Sequence, residues 1–224
     1  FMLSTSLTPY SLVTLRTTGV GESNLQERIG TYDTPGIVLS YRTRLPENHV
    51  KLRFSPDFST QAILDETTAM AERIGSPVFC IEGIEPGDHP LAAITGDLEV
   101  VVVQRLLAAG ETVATAESCT GGRVASLVTA VPGSSGAFDQ GHITYANQAK
   151  IELLGVTQAM IDAHGAVSQA VVEQMARGVR SRAGSTYGLA TSGLAGPSGG
   201  PPDKPLGTVT LALAPPAGVH RRPA

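Results

Sequence analysis

With 224 residues, 42% of them hydrophobic and 16% charged, the chain has enough apolar material for a globular core and too little charge for a disordered segment. Twenty acidic against sixteen basic residues give a net charge of −4, and no dense Lys/Arg run occurs, so the electrostatic footprint of a nucleic-acid binder is missing. The two cysteines lack metal-ligand spacing and are too few for a disulfide framework, and no stretch of about 18 apolar residues is present to span a membrane. The expectation is a cytoplasmic protein with no bound metal and no cofactor.

In chain order, "LVTLRT" reads as a strand, "ESNLQERI" as a short helix, and "DTPG" as a turn. "IVLSY" and "HVKLRF" read as two strands joined through "RTRLPEN", where Pro and Asn supply turn chemistry. "STQAILDETTAMAERIG" places Ile63, Met70 and Ile74 at helical spacing, with Ser59 to cap the start and Gly75 to end it. "PVFCIEG" closes a βαββαβ unit of ferredoxin-like order, a small α+β domain over residues 1–90. Arg42, Arg44, Lys51 and Arg53 fall on its hairpin, where a solvated strand face is expected rather than an RNA contact.

The Pro- and Gly-containing stretch 84–96 is the expected linker to a second domain over residues 91–224. Residues 97–110 carry a helical apolar face, "TVATA" is a short uncharged strand, and "GRVASLVTA" returns to helix. After a loop through "VPGSSGAFDQG", "HITYA" reads as a strand. "NQAKIELLG", "TQAMIDAHG" and "SQAVVEQMARGVRSRAG" then read as helices, each stopped by Gly. "TYGLATSG" and "GTVTLALA" supply two further strands. Apolar strands alternating with helices predict an α/β three-layer sandwich, with helices on both faces of a mixed or parallel sheet.

Three loops in the second domain stand where strand ends meet helix starts, the place where ligands bind in open α/β sheets. In "ESCTGG", Ser118 or Thr120 suits the capping of the next helix, and Gly121 and Gly122 let backbone approach a ligand closely. The functional alternative makes Ser118 a nucleophile with N–H groups nearby to hold an oxyanion. That requires a base, and "YANQAK" offers one: with Asn147 as helix cap, Tyr145 and Lys150 point into one crevice. A lysine in a first helical turn sits at the end of the dipole that weakens its protonated form; the plain alternative is a solvated lysine and a core tyrosine. In "SGLAGPSGGPPDKPLG", Gly193, Gly196, Gly199 and Gly200, with Ser198 and Lys204, suit a phosphate, against the alternative of a flexible connection. Cys119 is a rival nucleophile, expected to point away from Ser118 and pack inside.

"TVATAESCTGG", "TYANQAKIELLGV", "HGAVS", "SGLAGPSGG" and "KPLGTV" resemble, in order and approximate spacing, the C-terminal module of the CinA family; upstream, "LRTTGVGES" resembles the start of that family's middle domain. The likeness spans roughly residues 12–214. It implies hydrolysis of the carboxamide of nicotinamide mononucleotide to nicotinate mononucleotide and ammonia, with Ser118 as nucleophile and Tyr145 and Lys150 as the proton-handling pair. It further implies Thr120, Gly121, Gly122 and Asn147 around the reacting group, and the Gly-rich loop on the 5′-phosphate. Lys150 then acts either as the base, which needs its pKa brought from about 10.4 to near 7, or as a charge stabilising a tyrosinate. The longer family members begin with a molybdopterin-binding-like domain that has no counterpart here, and the module continues past "GTVTLALA" with a further strand and helix. An apolar sheet face or edge left bare by that difference leads to the expectation of a homo-oligomer. The competing class is a nucleotide-binding or assembly module that no longer hydrolyses its ligand.

Overall fold

The computed structural model describes residues 9–197 and 204–216, in two compact units, Phe1–Val101 and Val102–Ala224.

The first unit is the expected βαββαβ arrangement: β1 Ser11–Thr18, α1 Glu22–Ile29, β2 Ile37–Arg44, β3 Glu47–Phe54, α2 Thr60–Ile74 and β4 Val78–Glu82. Its sheet has the order β2-β3-β1-β4 with every neighbour antiparallel. Ser59 caps α2 by accepting a hydrogen bond from the Ala62 N–H, and Gly75 follows its last turn. One face of the sheet buries Val13, Leu15, Val50, Leu52 and Phe54 with Leu25, Met70 and Ile74 of the helices. The hairpin differs from the sequence reading. The strands run on to Arg44↔Glu47 and only Leu45 and Pro46 connect them, because the ladder takes in polar residues that carry no apolar signal. On its outer face Arg44 pairs with Asp97 and Arg53 lies over the Tyr10 ring.

Helix α3, Leu98–Ala109, begins in the first unit. The Glu47 carboxylate accepts the Leu98 N–H, and Leu98 and Val101 pack with Phe79 and Cys80. These contacts carry the division between units past the expected boundary at residue 90 and into α3. Glu47 is also held by Arg16, which is 5% exposed and bonds Glu82 and Asp97 as well.

The second unit contains β5 Val113–Glu117, α4 Arg123–Thr129, β6 Phe138–Ile143, α5 Asn147–Leu154, α6 Gln158–His164, α7 Gln169–Ala183, β7 Tyr187–Gly193 and β8 Val209–Ala214. The sheet order is β6-β5-β7-β8; β5 pairs parallel with both β6 and β7, and β8 is antiparallel to β7. This is the mixed-sheet alternative of the expected fold. Ala114, Ala116, Ala190, Ala212 and Ala214 line one face against Val171, Val172, Met175, Ala176 and Val179 of α7. Small residues on the sheet let α7 approach closely, and a Cβ at Gly178 of α7 would stand 1.9 Å from the Leu154 carbonyl oxygen. Ala125 of α4 packs over Gly141, where a Cβ would stand 3.4 Å from its methyl group.

Two local expectations are corrected. Strand β6 starts at Phe138 and stops at Ile143, rather than spanning "HITYA": this edge strand takes in Asp139, Gln140 and Gly141, which carry no apolar signal, and its half-buried side is Phe138, Gln140 and His142. Asn147 does not cap α5: Ala146 holds that place with no side-chain cap, and Asn147 is already helical.

Candidate active site

The parallel strands end in register, with Glu117 opposite Ile143 on one side and Thr191 on the other. From β5 the chain leaves one way through α4 to β6, and β7 lies on β5's other flank, so β5 ends at the point where strand order reverses. Loops diverge there and leave a crevice beyond the carboxyl ends of the strands. It forms a cavity of about 280 Å³ lined by Ser118, Cys119, Tyr145, Asn147 and Lys150, by Ala166 and Val167, and by Ser192 to Gly196.

Lys150 is the unusual member. It is 1% exposed, and its Nζ donates to the carbonyls of Thr144 at 2.8 Å and Tyr145 at 3.0 Å and to Ser118 Oγ at 3.4 Å. No carboxylate pairs with it among the described residues. Burial therefore pulls its pKa below the ordinary lysine value, with the Cys119 sulfur acting weakly the other way. A lysine held by neutral acceptors, its charged form disfavoured by burial, next to a serine hydroxyl is an arrangement that suits a base beside a nucleophile.

Ser118 is 8% exposed and opens the loop from β5 to α4; its N–H donates to the Thr191 carbonyl at 3.0 Å. Gly121 and Gly122 both hold positive φ, 60° and 97°, a region side chains disfavour. Their N–H groups do not face a ligand: Gly121 donates to the Ser118 carbonyl and Gly122 to the Glu117 carboxylate. The N–H groups of Cys119 and Thr120 are turned toward the Cys119 sulfur instead.

Neither Ser118 nor Thr120 caps α4. Glu117 does, and the sequence reading missed it: Oε2 accepts from the N–H of Gly122 and Val124 and from Thr120 Oγ1, and Oε1 from the N–H of Ala125. An acidic residue closing an otherwise apolar strand was the available signal. Cys119 also departs from expectation. It lines the crevice beside Ser118, close against Gly193, where a Cβ would stand 2.8 Å from its sulfur. Burial pushes its thiol pKa up, which keeps it protonated and a poor nucleophile.

Tyr145 reaches the site through its main chain: its carbonyl holds Lys150, while its side chain is 78% exposed and its hydroxyl has no hydrogen-bond partner among the described residues. Of the expected phosphate group, Gly193 belongs to strand β7, and with Gly196 it borders the crevice. Ser198, Gly199 and Gly200 lie outside the described residues. Lys204 stands elsewhere, donating to the His164 carbonyl in a separate cleft of about 460 Å³ with Ser168, Gln169 and Glu173. Among the described residues, no group of three His, Cys, Asp or Glu side chains could hold a metal ion, and no helix is long and apolar enough to cross a membrane.

Comparison with known proteins matches residues 95–223 to the family model of the CinA C-terminal domain. A CinA-like protein of Desulfosudis oleivorans is 44% identical over 212 residues, covering 92% of this chain and 48% of that protein. A protein of Shewanella oneidensis named nicotinamide-nucleotide amidohydrolase PncC is 38% identical over 211 residues, covering 94% of this chain and 47% of its own. The chain thus spans about half the length of the curated relatives it matches. Among solved structures, the competence/damage-inducible protein CihA of Agrobacterium tumefaciens shares 40% identity at a TM-score of 0.52, over 57% of this chain and 79% of that one. A CinA superfamily protein of Escherichia coli shares 33% at 0.53, over 56% and 77%. With its serine and buried lysine at the head of a mixed sheet, this chain belongs to the CinA family.

Proposed function

We propose that the chain hydrolyses the carboxamide of nicotinamide mononucleotide, with Ser118 as nucleophile and Lys150 as base. The observation that carries the reading is the buried Lys150 Nζ within 3.4 Å of Ser118 Oγ. The named activity of the Shewanella oneidensis relative supplies the substrate class.

Neutral Lys150 takes the Ser118 proton as Oγ attacks the carboxamide carbon, a transfer worth roughly 10²- to 10⁴-fold. The attack gives a tetrahedral intermediate at the carboxamide carbon. Collapse breaks the C–N bond, and the proton held by Lys150 passes to the leaving nitrogen, which departs as ammonia. Water then attacks the Ser118 ester with Lys150 again as base, giving nicotinate mononucleotide and the free serine. Tyr145 positions Lys150 by its carbonyl, and its exposed ring and hydroxyl meet the substrate at the rim with Asn147. Ala195 and Gly196 border the side of the crevice assigned to the 5′-phosphate.

Ammonia release from nicotinamide mononucleotide tests the reading. Turnover in the wild type with loss in Ser118→Ala and Lys150→Ala is expected. Tight calorimetric binding without any hydrolysis would instead make this a nucleotide-binding module.

A further inference from the structure

We infer that Glu117 is the positioning residue that sets Ser118 against Lys150, an assignment that rests on the serine and lysine pair proposed above but not on the identity of the substrate.

Glu117 is 1% exposed and does not line the crevice, so it touches no substrate. All four of its side-chain contacts are donors, three from the start of α4 and one from Thr120. No cation lies within ion-pair distance among the described residues. A helix start can be satisfied by a serine or aspartate at the cap itself without burying a charge. Here the cap position is Gly122, without a side chain, and the carboxylate arrives from the strand behind.

That route ties the helix start to both halves of the pair. Thr120 Oγ1, bonded to Glu117, also meets Thr191 Oγ1 at 2.7 Å, and the Thr191 carbonyl holds the Ser118 N–H. The ring of contacts encloses the Ser118 peptide on both sides. Glu117's own carbonyl accepts the Thr144 N–H at 2.8 Å, and the Thr144 carbonyl accepts Lys150 Nζ. One residue thus fixes the serine through its side chain and the lysine through its main chain. Only an ionised carboxylate is acceptor at every oxygen lone pair. Glutamine would turn an NH₂ against an N–H or O–H, and a displacement on the order of 1 Å at the serine costs roughly 10²-fold in reaction rate.

The test compares wild type, Glu117→Gln and Thr120→Val by the rate at which a fluorophosphonate labels Ser118, read by intact mass. Deamidation kcat and KM and the melting midpoint are measured in parallel. In folded Glu117→Gln, labelling and kcat should fall together by roughly 10²-fold with KM changed less than about threefold. Thr120→Val, which cuts the link to Thr191 at nearly constant size, should label about tenfold slower. A cap with no positioning role lowers the melting midpoint while folded protein labels at the wild-type rate; that result overturns the inference, as does a wild type that is never labelled at Ser118. If Glu117→Gln does not fold, Thr120→Val labelling at the wild-type rate overturns it. Labelling that depends on Glu117 in a protein that releases no ammonia from nicotinamide mononucleotide keeps the positioning role and removes the substrate assignment.

Discussion

Lys150 Nζ stands 3.4 Å from Ser118 Oγ while two main-chain carbonyls, of Thr144 and Tyr145, occupy its other donor directions. Carbonyls orient the amine without stabilising its charge as a carboxylate would, so the contact leaves the lysine able to take a proton.

Ser118→Ala should lower kcat for deamidation by about 10⁴-fold or more, whereas Cys119→Ala should cost less than about tenfold. The two neighbours line the same crevice, but Lys150 Nζ is hydrogen-bonded to the Ser118 hydroxyl, and burial keeps the Cys119 thiol protonated. Steady-state ammonia release from the two variants decides between them; the reverse order would transfer the nucleophile to Cys119.

The pH profile follows from Lys150. Burial lowers its pKa from 10.5, so kcat/KM should rise with pH along a limb centred below that value. Lys150→Arg, whose guanidinium does not deprotonate, should lose about 10³-fold and the limb with it. Between the lowered folded value and 10.5 the unfolded chain holds more protons on this lysine than the folded one, so stability rises with pH there. Urea midpoints across that window should climb in the wild type and show a smaller slope in Lys150→Met.

Tyr145→Phe should be milder than Lys150→Ala. The hydroxyl is free of Ser118 and Lys150, and the carbonyl that holds the lysine survives the substitution. An increase in KM with kcat kept above about a tenth of wild type is expected; a kcat loss equal to that of Lys150→Ala would put the phenol in the proton path.

In the first unit, Arg16→Met should destabilise by about 3–5 kcal/mol. It strips the cation from Glu47, whose side chain is 4% exposed, and from Glu82 and Asp97. The hydrogen bond from Arg16 holds the Asp97 pKa below its ordinary 3.8. Asp97's contribution is therefore present above that value and lost as pH falls through the lowered one. Being 41% exposed on its side chain, Asp97 supplies a minor share. Denaturant melts at pH 7 and in acid check both statements.

Gly178→Ala should destabilise the second unit by at least about 1–3 kcal/mol, because its Cβ would overlap the Leu154 carbonyl at the end of the helix that carries Lys150. Thermal melting with a deamidation assay on the folded fraction measures both consequences.

Local stretches of the chain carry the succession of elements and the loops that matter. Capping serines, terminal glycines and apolar periodicity are local signals, so α2 from Ser59 to Gly75 and the βαββαβ order were legible, as were "ESCTGG" and "YANQAK" at strand-to-helix junctions. The loops offered Ser118 and Lys150 as a nucleophile and base beside the plain alternatives of a helix cap and a solvated lysine, and the family resemblance favoured the pair, since 32 residues separate the two and no local pattern decides between the readings. The tertiary structure decided the rest. Parallel pairing of β5 with β6 and β7 brings Ser118, Lys150 and Thr191 to one sheet end, and burial there changes what a lysine and a cysteine can do. It also decided that Glu117 caps α4 and that Lys204 lies in another cleft. Solvent exclusion and hydrogen-bond closure arise only when distant segments meet, and for that reason no single stretch of the chain announces them.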